Sequence, residues 1–294
     1  ASRSGAPGYV PQDARDLYDV MQRALTTLRD RYGIKPTAVR FLGVSLGALE
    51  GAYLSVIDAD EAKIGIANYL LINPPLDLGY AIKKIDEWSR LENKFGKEKS
   101  RELVSSALGS VDSLLDEKAH DPAVIDRLAK KFSSFSDEEL KYLLAVTLQN
   151  QLYELIYVTQ VMHDQNVLPA PRGDKRKRLE EAKTFTLGDY NSKIAAPLWQ
   201  KQLGDAQVEP ESLLEASSFA RIMDRVRNTP KVRILHNLED FMGDKKSIEA
   251  LKEELGERVT LYPYGGHLGN LWYPENKETI LNFAPPNPGM ADAR

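Results

Sequence analysis

The chain has 294 residues, 42% hydrophobic and 28% charged, with 39 basic against 43 acidic side chains and a net charge of −4. That balance describes a globular chain with a sizeable core, in one domain with an insertion or in two modest domains. It excludes a disordered chain and argues against nucleic acid as a partner, which usually demands a basic surplus. The absence of cysteine excludes a disulfide framework, a thiolate nucleophile and cysteine-bound zinc, and no apolar run approaches the length of a membrane span.

Ala1 to Gly8 is a short polar loop without a signal peptide, so a soluble protein of the cytoplasm or, after processing, of the periplasm is expected. Residues 11–32 read as a helix, with proline in the first turn, Asp13 and Asp16 near its positive end, apolar residues at helical spacing, and Gly33 as its stop. An apolar strand at 38–43 leads into Gly43-Val44-Ser45-Leu46-Gly47 and then a second helix. The run 64–73, closed by Pro74-Pro75, reads as a buried strand, which completes a parallel strand–helix–strand crossover. From about Gly79 to Asn228 the pattern is helical and rich in charge, with Thr184–Thr186 as its one strand candidate. The longest predicted helix there opens on a capping box at Ser136–Glu139 and continues towards Met162. Gly173 to Arg178 is the one basic run and reads as a solvated loop. The sheet resumes with a strand at 231–237, a helix at 244–256 and a strand at 258–262. Beyond the loop that follows, proline and glycine dominate the tail. The predicted organisation is α/β: a core of residues 1–78 and 229–294, and a helical cap or lid of residues 79–228.

Gly-x-Ser-x-Gly between a strand and a helix holds a serine out of a tight bend, with Gly43 and Gly47 removing side chains that would collide. The helix that follows turns free N–H groups towards any oxyanion beside Ser45, and the amide of Leu46 is the natural donor. The structural alternative is an ordinary Gly-rich turn with Ser45 as helix N-cap. Two further residues sit at strand ends on the same predicted edge: Asp240 after the strand at 231–237, and His267 in the loop Pro263–Asn270. A serine hydroxyl needs an imidazole to take its proton, and the imidazole needs a carboxylate to fix its tautomer. Glu239 and Asp77 compete for the acid's place. His120 and His163, in the helical stretch, and His236, inside a strand, read as structural.

These three segments, Gly43–Gly47, Asn237–Asp240 and Gly265-Gly266-His267-Leu268-Gly269-Asn270, resemble the α/β-hydrolase fold superfamily, and the histidine loop resembles bacterial members with no assigned substrate. The resemblance implies a parallel sheet with a cap inserted after the strand that follows the elbow, and a catalytic Ser45, Asp240 and His267. It implies a serine esterase, lipase or thioesterase working through an acyl-serine, with no metal or organic cofactor. The apolar helices of the cap tilt the substrate towards acyl-chain or lipid-like esters; a membrane surface as partner has no support. One departure stands out. Superfamily members carry three or four strands before the helix that precedes the elbow strand, and this chain starts with that helix. An upstream fragment or a second chain is therefore expected to pair with the free side of residues 39–44 and to carry the second oxyanion donor. If that strand is an uncovered edge, the alternative of a non-catalytic binding or assembly module gains ground, as does that of a C-terminal portion inactive without its N-terminal half.

Overall fold

The computed structural model describes residues 5–116, 126, 130–204, 209–271 and 273–283. The chain divides into two compact units, Ala1–Ala81 with Ala195–Arg294, and Ile82–Ile194. The expected cap of residues 79–228 is corrected at its far end. Residues 195–228 belong with the sheet: Phe219, Ile222 and Val226 lie in its main core, and the Phe219 N–H donates to the Leu76 carbonyl at 3.0 Å. The helical pattern of these residues could not say which core they fill.

The first unit is a mixed α/β structure built on four parallel strands in the order β1 (Arg40–Val44), β2 (Asn68–Ile72), β3 (Val232–Asn237) and β4 (Val259–Tyr262). Helix α1 (Val10–Tyr32) carries Pro11 in its first turn and buries Val10, Ala14 and Tyr18 at four-residue spacing. Gly33 ends it in the left-handed conformation. Helix α2 (Leu46–Glu61) buries Leu49 and Leu54 completely, each contributing roughly 1.5–3 kcal/mol. Both helices pack on the face of the sheet that carries Phe41, Tyr69, Leu71 and Ile234. The crossover from α2 to β2 is held by Asp58, which is buried and accepts from the Tyr18 hydroxyl at 2.8 Å and from the N–H groups of Gly65 at 3.0 Å and Ile66 at 2.7 Å. That loop occupies residues 62–67, so β2 is shorter than the apolar run from 64 suggests.

β2 is buried on both faces, as a central strand should be. β1 differs: Arg40 and Leu42 are exposed, and among the described residues no strand pairs with its outer side. The expected partner for 39–44 is thus not supplied by the described residues.

In the second unit run α3 (Leu78–Ser89, from residue 82 onward), α4 (Glu92–Phe95), α5 (Lys97–Asp116), α6 (Asp137–Gln149), α7 (Leu152–Met162), α8 (Lys175–Ala182) and α9 (Leu187–Tyr190), followed by a π turn, Asn191–Ala195, that leads back to the first unit. The capping box at Ser136 and Glu139 forms. The single long helix expected from it does not. Gln149-Asn150-Gln151 interrupts the apolar spacing, and the break closes with a weak bond from the Asn150 N–H to the Thr147 carbonyl at 3.4 Å. Thr184–Thr186 is not a strand, because Thr186 caps α9 in a box with Asp189. Nor is the basic run a loop: Asp174 caps α8, and Arg178 is buried against the Ala170 carbonyl at 3.0 Å. Asp86 ties the unit together by accepting from Gln149 Nε2 and from the N–H groups of Leu187 and Gly188.

The remaining elements of the first unit are α10 (Ala196–Leu203), α11 (Pro210–Ala216), a 3-10 turn at Phe219–Ile222, α12 (Met223–Arg227), α13 (Lys245–Leu255) and α14 (Pro274–Phe283). Helix α14 lies in the tail, which its proline and glycine content marked as irregular. It places Ile280 and Phe283 against Leu70, Ile72 and Leu235 on the second face of the sheet. Among the described residues no helix is long and apolar enough to cross a membrane.

Candidate active site

Ser45 separates the last residue of β1 from the first of α2 and holds φ 54° and ψ −126°. An L-residue avoids that region at a cost of roughly 1–3 kcal/mol. The bend persists because its flanks are fixed. The Ser45 N–H continues the strand ladder to the Ile72 carbonyl at 2.9 Å, and its own carbonyl accepts from Ala48 and Leu49. A Cβ on Gly43 would collide with the Gly47 carbonyl and lie 2.8 Å from the Ala48 Cα, so glycine is required there. The matching expectation for Gly47 is corrected: a side chain at that position would meet open space. The N-cap alternative does not hold either, because the Ser45 side chain makes no bond to the helix it precedes.

That side chain is engaged elsewhere. Ser45 Oγ lies 2.8 Å from His267 Nε2, and His267 Nδ1 lies 2.9 and 3.0 Å from the two oxygens of Asp240. A carboxylate only accepts, so Nδ1 carries the ring proton and Nε2 offers its lone pair to the Ser45 hydroxyl. The Asp240 side chain is fully buried and that of His267 is 7% exposed. Asp240 follows β3 in a turn, and its oxygens take two further donors, the Asn73 amide at 2.8 Å and the Met242 N–H at 2.9 Å. The Phe241 ring meets the imidazole edge-on with centroids 5.7 Å apart.

The histidine loop is pinned from below by buried amides. Asn237 and Asn270 exchange hydrogen bonds at 2.7 and 2.9 Å, Asn237 also donates to the Gly266 carbonyl, and Asn276 donates to the Asn270 carbonyl. Gly265, at φ 134°, has no room for a Cβ, which would sit 2.7 Å from the Asn270 Cγ and 2.8 Å from Asn237 Nδ2.

Sequence reasoning passed over Asn73. A polar residue closing an apolar strand before Pro74-Pro75 is the signal it carries; in the structure it is buried with φ 48°, a left-handed angle that asparagine tolerates better than most residues. Leu46 opens α2, so its N–H belongs to the first turn, whose donors have no acceptor within the helix. The competitors for the acid stand apart from the imidazole: Asp77 is exposed and caps α3 through Tyr80 N–H, and Glu239 is exposed. His236 is buried inside β3 with its ring nitrogens 3.1 Å from the Asn237 and Pro74 carbonyls, and burial pushes it below the ordinary histidine range against the pull of the Asp240 charge. His163 ends α7. His120 lies outside the described residues. No group of three or more histidine, aspartate or glutamate side chains that could hold a metal ion occurs among the described residues.

Comparison of the chain with known proteins finds no matching family model, no matching curated protein and no matching solved structure.

Proposed function

We propose that this chain is a serine hydrolase of the α/β-hydrolase type, cleaving carboxylic esters or thioesters through an acyl-serine. The observation that carries the reading is the unbroken hydrogen-bonded line from Ser45 through His267 to Asp240. His267 Nε2 takes the Ser45 proton as Oγ attacks the acyl carbon, and Asp240 stabilises the imidazolium that results. The charge that develops on the carbonyl oxygen meets the Leu46 N–H at the start of α2. Collapse expels the alcohol or thiol, protonated by His267, and water activated by the same ring then releases the acid.

That no strand among the described residues pairs with the outer side of β1 favours a second reading, a non-catalytic binding or assembly module. It bears on the second oxyanion donor and leaves the Ser45–His267–Asp240 line untouched. The strained angle at Ser45 weighs against it, since a module with no use for the serine gains nothing from that backbone cost. A fluorophosphonate probe decides between the two. Labelling of the wild type that disappears in Ser45→Ala supports the hydrolase, and a folded but unreactive wild type supports the module. Because the three residues act as a unit, ester hydrolysis should fall about as far in Ser45→Ala or His267→Ala as in the double variant.

A further inference from the structure

The second face of the sheet carries a polar cleft at the opposite end of the strands from Ser45. Its volume is about 430 Å³, and it is lined by Arg40, Asn68, Arg233, Thr279, Asn282 and Phe283, together with parts of Tyr69 and Leu70. The strand register explains the gathering. Arg40 lies beside Asn68, and Arg233 lies beside Leu70, two residues further along β2. Neighbours in a parallel ladder and residues two apart on one strand share a face, so Arg40, Asn68 and Arg233 all stand on the side that α14 partly covers. Two strand spacings and a two-residue offset separate the Arg40 and Arg233 Cα atoms by ~12 Å. Two arginine side chains span that gap readily and can close on one small ligand.

The electrostatics are left open. Among the described residues neither guanidinium makes a hydrogen bond or an ion pair, and the side-chain amides of Asn68 and Asn282 have no protein partner either. Arginines elsewhere in the chain, Arg15, Arg172, Arg225 and Arg227, lie on carboxylates. Among the described residues no aspartate or glutamate lines this cleft. Two like charges therefore face a common space among neutral amide donors, which is the donor set that a tetrahedral oxyanion satisfies: bidentate guanidinium contacts with amide N–H groups between them. Thr279 adds little, because its hydroxyl donates to the Glu275 carbonyl. Phe283, half-buried at the rim, offers an apolar surface to whatever group bears the anion.

We propose that this cleft is a binding site for a small organic phosphate, distinct from the Ser45 centre. Ser45 follows the far end of β1, about 16 Å along the strand from Arg40, so a ligand held here is not the acyl group in attack.

The test titrates the full chain with inorganic phosphate and with phenyl phosphate at constant ionic strength, read by calorimetry. Saturable one-to-one binding is expected, tighter for phenyl phosphate because of Phe283. It should weaken about tenfold in Arg40→Gln and again in Arg233→Gln, the loss of one charge-assisted contact each. Both arginines are exposed, so unchanged thermal unfolding and unchanged fluorophosphonate labelling should accompany the loss. Absence of saturable binding, or binding undiminished in the Arg40→Gln/Arg233→Gln double variant, would overturn the proposal.

Discussion

Asn73 offers the sharpest test of how the site is held. Its amide gives Asp240 Oδ2 one of the donors that satisfy a fully buried carboxylate, at 2.8 Å, and its backbone sits at φ 48°. A hydrogen bond to a charged acceptor contributes roughly 1.5–3 kcal/mol, and alanine at a left-handed angle costs roughly 1–2 kcal/mol more. Asn73→Ala should therefore lower unfolding stability by about 3–4 kcal/mol. Asn73→Gly relieves the backbone share alone and should recover about 1 kcal/mol of that. Both variants leave Asp240 free to drift from the imidazole, so probe labelling of Ser45 should slow by about 10- to 100-fold, the rate equivalent of the lost bond. Urea melts give the first quantity and labelling time courses the second. If Asn73→Gly proved as stable and as quickly labelled as the wild type, asparagine would be present only for its backbone angle and the positioning argument would fail.

Three further changes probe other parts of the structure. Gly43→Ala drives a methyl into the Gly47 carbonyl and should abolish labelling while circular dichroism still reports a folded chain; normal labelling would show that the elbow is looser than its geometry implies. Asp13, which accepts from the Gly8 N–H at 2.6 Å, is pushed up to about 7, mainly by burial and further by the charge of Glu50, against the pull of the Gly8 bond. A carboxyl raised above its unfolded value holds more protons when folded, so its contribution to stability grows as pH falls from about 8 to 4. Asp13→Asn should remove that part of the slope, and unfolding midpoints that run parallel for the two proteins across that range would count against it. Asp58→Asn turns an amide N–H either towards the Tyr18 hydroxyl and the Gly65 N–H or towards the Tyr69 hydroxyl and the Ile66 N–H. It should cost about 2–4 kcal/mol and speed hydrogen exchange at Gly65 and Ile66; unaltered protection there would mean that the crossover loop does not depend on Asp58.

The strands and the helices flanking the elbow were legible because local pattern and burial agree there. The apolar run closed by Pro74-Pro75 became β2, the expected strand at 231–237 became β3, and the spacing of Val10, Ala14 and Tyr18 put one face of α1 on the core. Prediction failed where a choice was tertiary. Residues 195–228 read like the helices before them, and only the fit of Phe219, Ile222 and Val226 under the sheet assigns them to the first unit. Helix α14 was hidden by the prolines and glycine of the tail around it, although Pro274, the one proline within it, merely opens it, where a missing N–H costs nothing.

The same division runs through the site. Ser45, Asp240 and His267 could be named from strand ends because chemistry restricts which residue types can stand there. Their supports could not, because an asparagine that closes a strand looks the same whether its amide meets water or a buried carboxylate. Asn73, Asn237 and Asn270 are all buried, and all spend their amides on the acid turn or the histidine loop. A buried amide without a partner costs as much as a lost core contact. Three of them packed around one turn and one loop are therefore costly unless that turn and loop hold their places. Their geometry keeps His267 Nε2 2.8 Å from Ser45 Oγ although, among the described residues, no strand pairs with the outer side of the edge strand beneath the serine. The rigidity of the line from Asp240 to Ser45 thus rests on β2, β3 and the loop after β4, and the open side of β1 bears on only the serine's own end of it.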